Sequence, residues 1–205
     1  MCEMCTQNRK KVVTGVYGGS FNPIHIGHTR MAREVVARGL VDELWLVVSP
    51  QNPLKGDGLW EDAFRLELAK MAVVEIDGVE VSDVEFHLPK PNYMFTTLQS
   101  LSDRFPDREF VLIIGMDNWE CFVKWYRWQD ILQNYRLIVL PRQSFCDSKP
   151  CLSCVPEFSL GIEFAEVELV NISSSWIRSQ MAEEPSYNGM GLLPAVWKKI
   201  KEEKR

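Results

Sequence analysis

Two histidines three residues apart, His25 and His28, follow the glycine-rich run Gly18-Gly19-Ser20-Phe21-Asn22-Pro23. At helical spacing they share one face over the first turn of a helix, where two imidazoles could touch one bound anion. Adjacent glycines let the backbone turn sharply and approach a ligand closely. Asn22-Pro23 reads as a turn into the helix, and a helix N-terminus offers amide groups and a positive dipole end to an anion. Gly27 then removes a side chain where a phosphate would press in. The chain holds 3 histidines in all, so two in one turn outweigh the reading of an isolated capping residue. The chemistry expected here is phosphate binding.

A second polar cluster lies near the other end, at Ile172-Ser173-Ser174-Ser175-Trp176-Ile177-Arg178. Serines suit a helix N-cap, where a hydroxyl accepts from an orphan backbone N–H. The remaining amides and hydroxyls would face a phosphate. Arg178 falls in the first turn, and its planar fork suits phosphate oxygens. Asp117, at the end of an apolar run, is placed to accept from ribose hydroxyls or to cap a helix.

The elements that must position these groups follow from hydrophobic periodicity. Residues 12–17, 43–49, 110–114 and 137–140 are short, apolar runs, as buried strands are. Residues 25–39, 61–74, 93–105 and 128–134 carry apolar side chains at helical spacing. Residues 79–86 and 162–169 alternate apolar and polar, as partly exposed strands do. Strands alternating with helices predict a doubly wound α/β fold, with a mostly parallel sheet covered on both faces. In such a sheet the ligand sits beyond the carboxyl ends of the strands, where the glycine run and Asp117 are placed.

The chain of 205 residues, 46% hydrophobic and 25% charged, has the composition of one globular domain over 12–205 with a polar extension over 1–11. Residues 143–161 read as a long surface connection and 172–205 as a C-terminal helical part. A net charge of −5 gives no broad basic face for nucleic acid, so small molecules are the expected partners. No apolar run approaches the length of a bilayer span, and no signal-like apolar stretch follows Arg9-Lys10-Lys11. No membrane association and a cytoplasmic location are therefore expected. Cys2, Cys5, Cys151 and Cys154 form two CxxC pairs with the spacing of a tetrahedral zinc site. Free thiols are the preferred reading, because nothing else calls for zinc and Cys2 and Cys5 lie near a terminus. No dedicated metal site of the protein's own is expected.

The run GGSFNPIHIGH resembles the phosphate-binding signature of the HxGH nucleotidyltransferases. ISSSWIR resembles the second signature of that superfamily, ISSTxxR, with Ser175 where threonine is commoner. The class I aminoacyl-tRNA synthetases share His-Ile-Gly-His, but they are much longer and carry a lysine-rich signature not found here. Four further segments resemble the bacterial nicotinate mononucleotide adenylyltransferases. They are Ser49-Pro50-Gln51-Asn52-Pro53-Leu54-Lys55, Pro91-Asn92-Tyr93-Met94-Phe95-Thr96-Thr97-Leu98, Ile113-Ile114-Gly115-Met116-Asp117-Asn118 with Lys124-Trp125-Tyr126-Arg127-Trp128, and Leu140-Pro141-Arg142. The resemblance runs from about Val13 to Ile200.

It implies a Rossmann-like fold and transfer of the adenylyl group of ATP to the 5′-phosphate of nicotinate mononucleotide, with Mg²⁺ carried by the ATP phosphates. It places His25 and His28 on the reacting phosphates, with Arg178 and the serine amides on the β- and γ-phosphates. ATP would further meet Gly18, Gly19, Ser20, Phe21, Gly27, Gly115, Asp117, Arg142, Ile172, Ser173, Ser174 and Ser175. The mononucleotide would meet Asn22, Lys55, Tyr93, Met94, Thr97 and Trp125, with Trp125 stacked on the ring and Trp45 and Trp128 left to core packing. Asn22 stands where aspartate is commoner, Met94 where threonine is, and Thr96 where aspartate is, which bears on acid-versus-amide selectivity. A phosphopantetheine adenylyltransferase, a cytidylyltransferase and a non-catalytic nucleotide sensor are the alternatives. The sequence leaves a homo-oligomer open.

Overall fold

The computed structural model describes residues 10–50, 59–140, 159–168 and 170–203. The chain runs β1 (Val12–Gly19), α1 (Ile26–Ala37), β2 (Glu43–Val48), α2 (Asp62–Val73), β3 (Val79–Ser82), α3 (Met94–Arg104) and β4 (Arg108–Gly115). It continues α4 (Met116–Glu120), α5 (Trp128–Asn134), β5 (Arg136–Leu140), β6 (Ile162–Phe164), α6 (Ser174–Glu183) and α7 (Pro194–Glu203). Short 3₁₀ turns occupy Val84–His87 and Phe122–Lys124. The six strands pair in parallel in the order β3-β2-β1-β4-β5-β6. This is the doubly wound α/β sheet that the alternation of elements predicts.

Strand periodicity divides the core in two. On one face Leu44, Leu46, Val48, Val111, Ile113, Ile138 and Leu140 pack against α1, α2, α6 and α7 through Val35, Leu68, Ile177 and Val196. On the other, Trp45, Val47, Leu112, Ile114, Leu137 and Val139 meet Phe95, Leu98 and Leu101 of α3 and Ile131 and Leu132 of α5. Successive side chains of one strand thus enter opposite layers. That is why the central strands read as unbroken apolar runs. Trp45 is buried in the second layer, and Trp128 packs half-buried against it.

The two alternating segments form shorter strands than expected. β3 stops at Ser82, whose hydroxyl accepts from the Val84 N–H at 3.3 Å, a local bond that competes with the ladder. The 3₁₀ turn that follows carries Glu85 into the interior instead of along an edge. β6 ends at Phe164, although Ala165 still donates to the Val139 carbonyl at 3.1 Å.

Candidate active site

The carboxyl ends of β1, β4 and β5 open onto a cavity of about 550 Å³. β1 and β4 are the neighbours from which the strand order departs in opposite directions, the place where an open α/β sheet takes its ligand. Gly18, Gly19, Ser20, Phe21, His25, Gly27 and His28 border the cavity on one side, and Ile172, Ser173, Ser174 and Ser175 on another. Tyr93, Met94, Gly115, Asp117 and Trp125 complete the wall.

His25 is the N-cap of α1, so its capping role and its place at the site coincide. Its Nδ1 accepts from the Gly27 N–H at 3.2 Å, while the Nδ1 of His28 accepts from the His25 N–H at 3.3 Å. A neutral imidazole that accepts at Nδ1 carries its proton on Nε2, so both rings have Nε2 as their donor. The two rings stack with centroids 3.7 Å apart, and the Phe21 ring meets His28 edge-on at 5.0 Å. Burial lowers the pKa of His25 to about 4, so it is neutral near pH 7. Phe21 holds a left-handed backbone, φ 41°, unusual for a bulky residue and clustered here with the chemistry.

One sequence expectation about α1 changes. Its amides are not offered to an anion, because each finds a protein acceptor. Ile26 donates to the Gly191 carbonyl at 2.9 Å, Gly27 to His25 Nδ1, and His28 and Thr29 to the His25 carbonyl. What this helix start presents is its two imidazoles and its dipole. Gly27 borders the cavity and has a packing role besides. A Cβ there would stand 2.9 Å from His25 Nδ1 and 3.0 Å from Ile172 Cγ2, so the glycine lets the ring and the distant Ile172 pack together.

The N-terminus of α6 behaves differently. Ser173 caps it by accepting from the Trp176 N–H at 3.2 Å, while the amides of Ser174 and Ser175 have no acceptor among the described residues. The Ser174 hydroxyl donates to the Pro23 carbonyl at 2.9 Å, and Arg178 Nη1 donates to the Asn22 carbonyl at 2.6 Å. The two signatures, far apart in sequence, are thereby bonded to each other.

At the other end of the cavity the Tyr93 and Tyr126 rings lie 4.6 Å apart, and Trp125 packs against Phe122 at 5.3 Å. The Trp125 Nε1–H is buried with no acceptor among the described residues. Tyr93 caps α3 without a side-chain bond, so the amides of Met94, Phe95 and Thr96 likewise have no acceptor there. The Met94 methyl occupies the place a Gly18 Cβ would need. A Cβ on Gly115 would fall 2.6 Å from Asp117 Oδ1, so the carboxylate folds back over the end of β4.

Three expected contacts lie off the cavity wall. Asn22 is buried, its Oδ1 accepting from the Trp60 N–H at 3.0 Å, so it fixes the turn rather than facing a ligand. Thr97 is wholly enclosed, its hydroxyl 2.8 Å from Glu85 and 3.3 Å from the Tyr93 carbonyl. Arg178 sits beside the wall with its other arm 3.4 Å from the Ser175 hydroxyl; three of its five N–H donors stay uncommitted among the described residues. Lys55, Arg142, Cys2, Cys5, Cys151 and Cys154 fall outside the described residues.

Sequence reasoning missed Arg65, which is fully buried with every N–H engaged. It donates to the carbonyls of Trp60 (3.0 Å), Ser20 (2.5 Å), Ser49 (2.8 Å) and Pro50 (3.1 Å) and to Asp62 (2.6 Å). The ends of β1 and β2 are thus tied through one guanidinium. The signal was present, because Arg65 shares the apolar helical face of Leu68, Ala69 and Ala72. Glu85, also missed, is buried at the edge of the cavity.

Residues 16–180 match the cytidylyltransferase-like family. A probable nicotinate-nucleotide adenylyltransferase of Bacteroides thetaiotaomicron is 40% identical over 193 residues, covering 94% of this chain and 92% of its own. One of Flavobacterium psychrophilum is 38% identical, covering 91% and 94%. Among solved structures, Plasmodium falciparum nicotinic acid mononucleotide adenylyltransferase complexed with NaAD superposes with a TM-score of 0.79 at 18% identity, over 94% of this chain and 96% of that one. At that identity the superposition shows the fold, while the sequence relatives show the kinship. The chain belongs to the cytidylyltransferase-like family, in its nicotinate-nucleotide adenylyltransferase branch.

Proposed function

We propose that this chain transfers the adenylyl group of ATP to the 5′-phosphate of nicotinate mononucleotide, giving nicotinate adenine dinucleotide and pyrophosphate. The observation that carries this reading is the pair of stacked imidazoles with Nε2 as donor, whose loop is bonded by the Ser174 hydroxyl and Arg178 to the start of α6, on one cavity with Tyr93, Trp125 and Tyr126. A 5′-phosphate monoester is already largely dianionic near pH 7, so no general base is needed. One of its oxygens attacks the α-phosphorus of ATP in line. The bond from that phosphorus to the bridging oxygen breaks, and pyrophosphate leaves with the electron pair.

The residues act by position and by charge. His25 and His28 donate from Nε2 to oxygens of the reacting phosphates, where negative charge shifts as the bond breaks. The Ser174 and Ser175 amides and Arg178 hold the leaving pyrophosphate. No cluster of three metal-binding side chains occurs among the described residues, and the imidazoles, hydroxyls and two carboxylates, Asp117 and Glu85, that border the cavity fit a hydrated ion carried on ATP. Mg²⁺ bound in this way neutralises phosphate charge. On this reading Asp117 accepts from ribose hydroxyls and Trp125 stacks on the pyridine ring.

The uncapped start of α3 supports the acid over the amide as substrate. Three amides without acceptors suit a carboxylate, whereas a carboxamide would turn an NH₂ donor toward them. An unpaired buried donor costs roughly 1–3 kcal/mol, which supports about 10²-fold discrimination. The test is pyrophosphate release with ATP and Mg²⁺, comparing nicotinate and nicotinamide mononucleotides with 4′-phosphopantetheine. Equal kcat/KM for acid and amide would refute the role of the α3 amides. Preference for phosphopantetheine would refute the substrate assignment.

A further inference from the structure

Among the described residues Glu85 is the one carboxylate that borders the cavity and that the proposed chemistry leaves without a task. It is 2% exposed, carried inward by the 3₁₀ turn after β3. Its Oε2 accepts from the Ser49 hydroxyl at 2.6 Å and its Oε1 from the Thr97 hydroxyl at 2.8 Å. The Thr97 hydroxyl also reaches the Tyr93 carbonyl, and Asn92 donates to the Glu85 carbonyl at 3.0 Å. Two converging hydroxyl donors suit an anion, yet no lysine, arginine or histidine pairs with it among the described residues. Burial pushes the carboxyl above its ordinary range, and the two hydroxyls only partly offset this.

Buried charges are as a rule paired, because an isolated anion loses its hydration without compensation. The missing partner can arrive with a ligand. On the substrate reading above, the acceptor's ring is a quaternary pyridinium, which carries a permanent positive charge. Glu85 borders the cavity beside Asn92, Tyr93 and Met94, the residues that frame the aromatic recess. The buried cation Arg65 lies on the far side of Ser49, bound to its carbonyl, and also holds the Ser20 carbonyl of the phosphate loop. Glu85 and Arg65 thus flank one residue, the carboxylate on the Ser49 hydroxyl and the guanidinium on its carbonyl, and of the two only the carboxylate borders the cavity.

We propose that Glu85 is a specificity-determining residue whose carboxylate is the counter-charge for the pyridinium ring of the acceptor, selecting cationic over neutral rings. The inference rests on the pyridine mononucleotide reading of the site. It differs from a purely structural role for Glu85 in one respect: it couples the charge at residue 85 to the charge on the ring.

The experiment measures dissociation constants by calorimetry for two ligands, in the full chain and in Glu85→Gln. One ligand is nicotinate mononucleotide. The other is its carbon isostere, 3-carboxyphenyl riboside 5′-phosphate, which keeps the carboxylate and phosphate but has a neutral ring. The unaltered chain is expected to favour the pyridinium by about tenfold or more, as a nearby buried charge would dictate. Glu85→Gln is expected to bring that ratio close to one, chiefly by weakening the pyridinium. A structural role alone would weaken both ligands alike and leave the ratio unchanged, which would overturn the proposal. Absence of a preference in the unaltered chain would overturn it as well, whether or not Glu85→Gln folds. Binding of neither ligand would refute the substrate reading and this inference with it, whereas tight binding of both at an unchanged ratio refutes the inference alone.

Discussion

Gly27→Ala tests the assignment of the histidine pair most directly, because it adds one methyl group and removes no functional atom. The new Cβ would lie 2.9 and 3.0 Å from His25 Nδ1 and Cε1 and 3.0 Å from Ile172 Cγ2, against 3.4 Å for ordinary contact. The ring must therefore recede by roughly half an ångström, and it has little freedom to do so. Its Nδ1 is bonded to the Gly27 N–H, and its other neighbour is the His28 ring at a centroid distance of 3.7 Å. Overpacking of this kind costs about 1–3 kcal/mol, while alanine recovers up to about 1 kcal/mol of helix propensity. The net loss of stability should be roughly 0–2 kcal/mol, readable as a modest fall in melting temperature. The larger effect falls on turnover. A catalytic group displaced by half an ångström costs about 10–100-fold in kcat, with little change in KM for ATP. Steady-state pyrophosphate release supplies both constants. Gly18→Ala is the control, since the flexible methyl of Met94 can swing clear and the loss should be smaller. Turnover within twofold of the unaltered chain in Gly27→Ala would show that the His25 ring is not held as described.

His28→Ala should lower kcat by about 10²–10³-fold, the usual cost of one preorganised donor, and weaken mononucleotide binding far less; near-normal turnover would sink the mechanism. Burial holds the His25 pKa at about 4 against 6.5 for the free side chain, so the unfolded chain binds more protons between those values. The resulting stability is fully present above pH 6.5 and is lost as pH falls toward 4, by up to roughly 3 kcal/mol. Chemical denaturation at pH 7 and pH 4.5 should show this loss, and His25→Asn should flatten it; an unchanged pH dependence in that variant would assign it to other groups.

Sequence alone determined the layers and the class of chemistry. Strand runs, helical spacing and the order of elements sufficed for the doubly wound sheet, because period-two and period-3.6 burial are local consequences of backbone geometry. The glycine run, the paired histidines and the serine cluster pointed to phosphate for the same reason, as each works within a single turn. Tertiary structure decided which of these groups meet a ligand. The α1 amides are satisfied by Gly191 and by His25, and Asn22 turns to Trp60. Thr97, spaced like a pocket residue, lies sealed behind Glu85, and Arg65 is consumed by carbonyls of two strand ends. A hydrogen-bonding group is claimed by whatever acceptor long-range packing brings within about 3 Å, and spacing along one helix or loop carries no record of that neighbour.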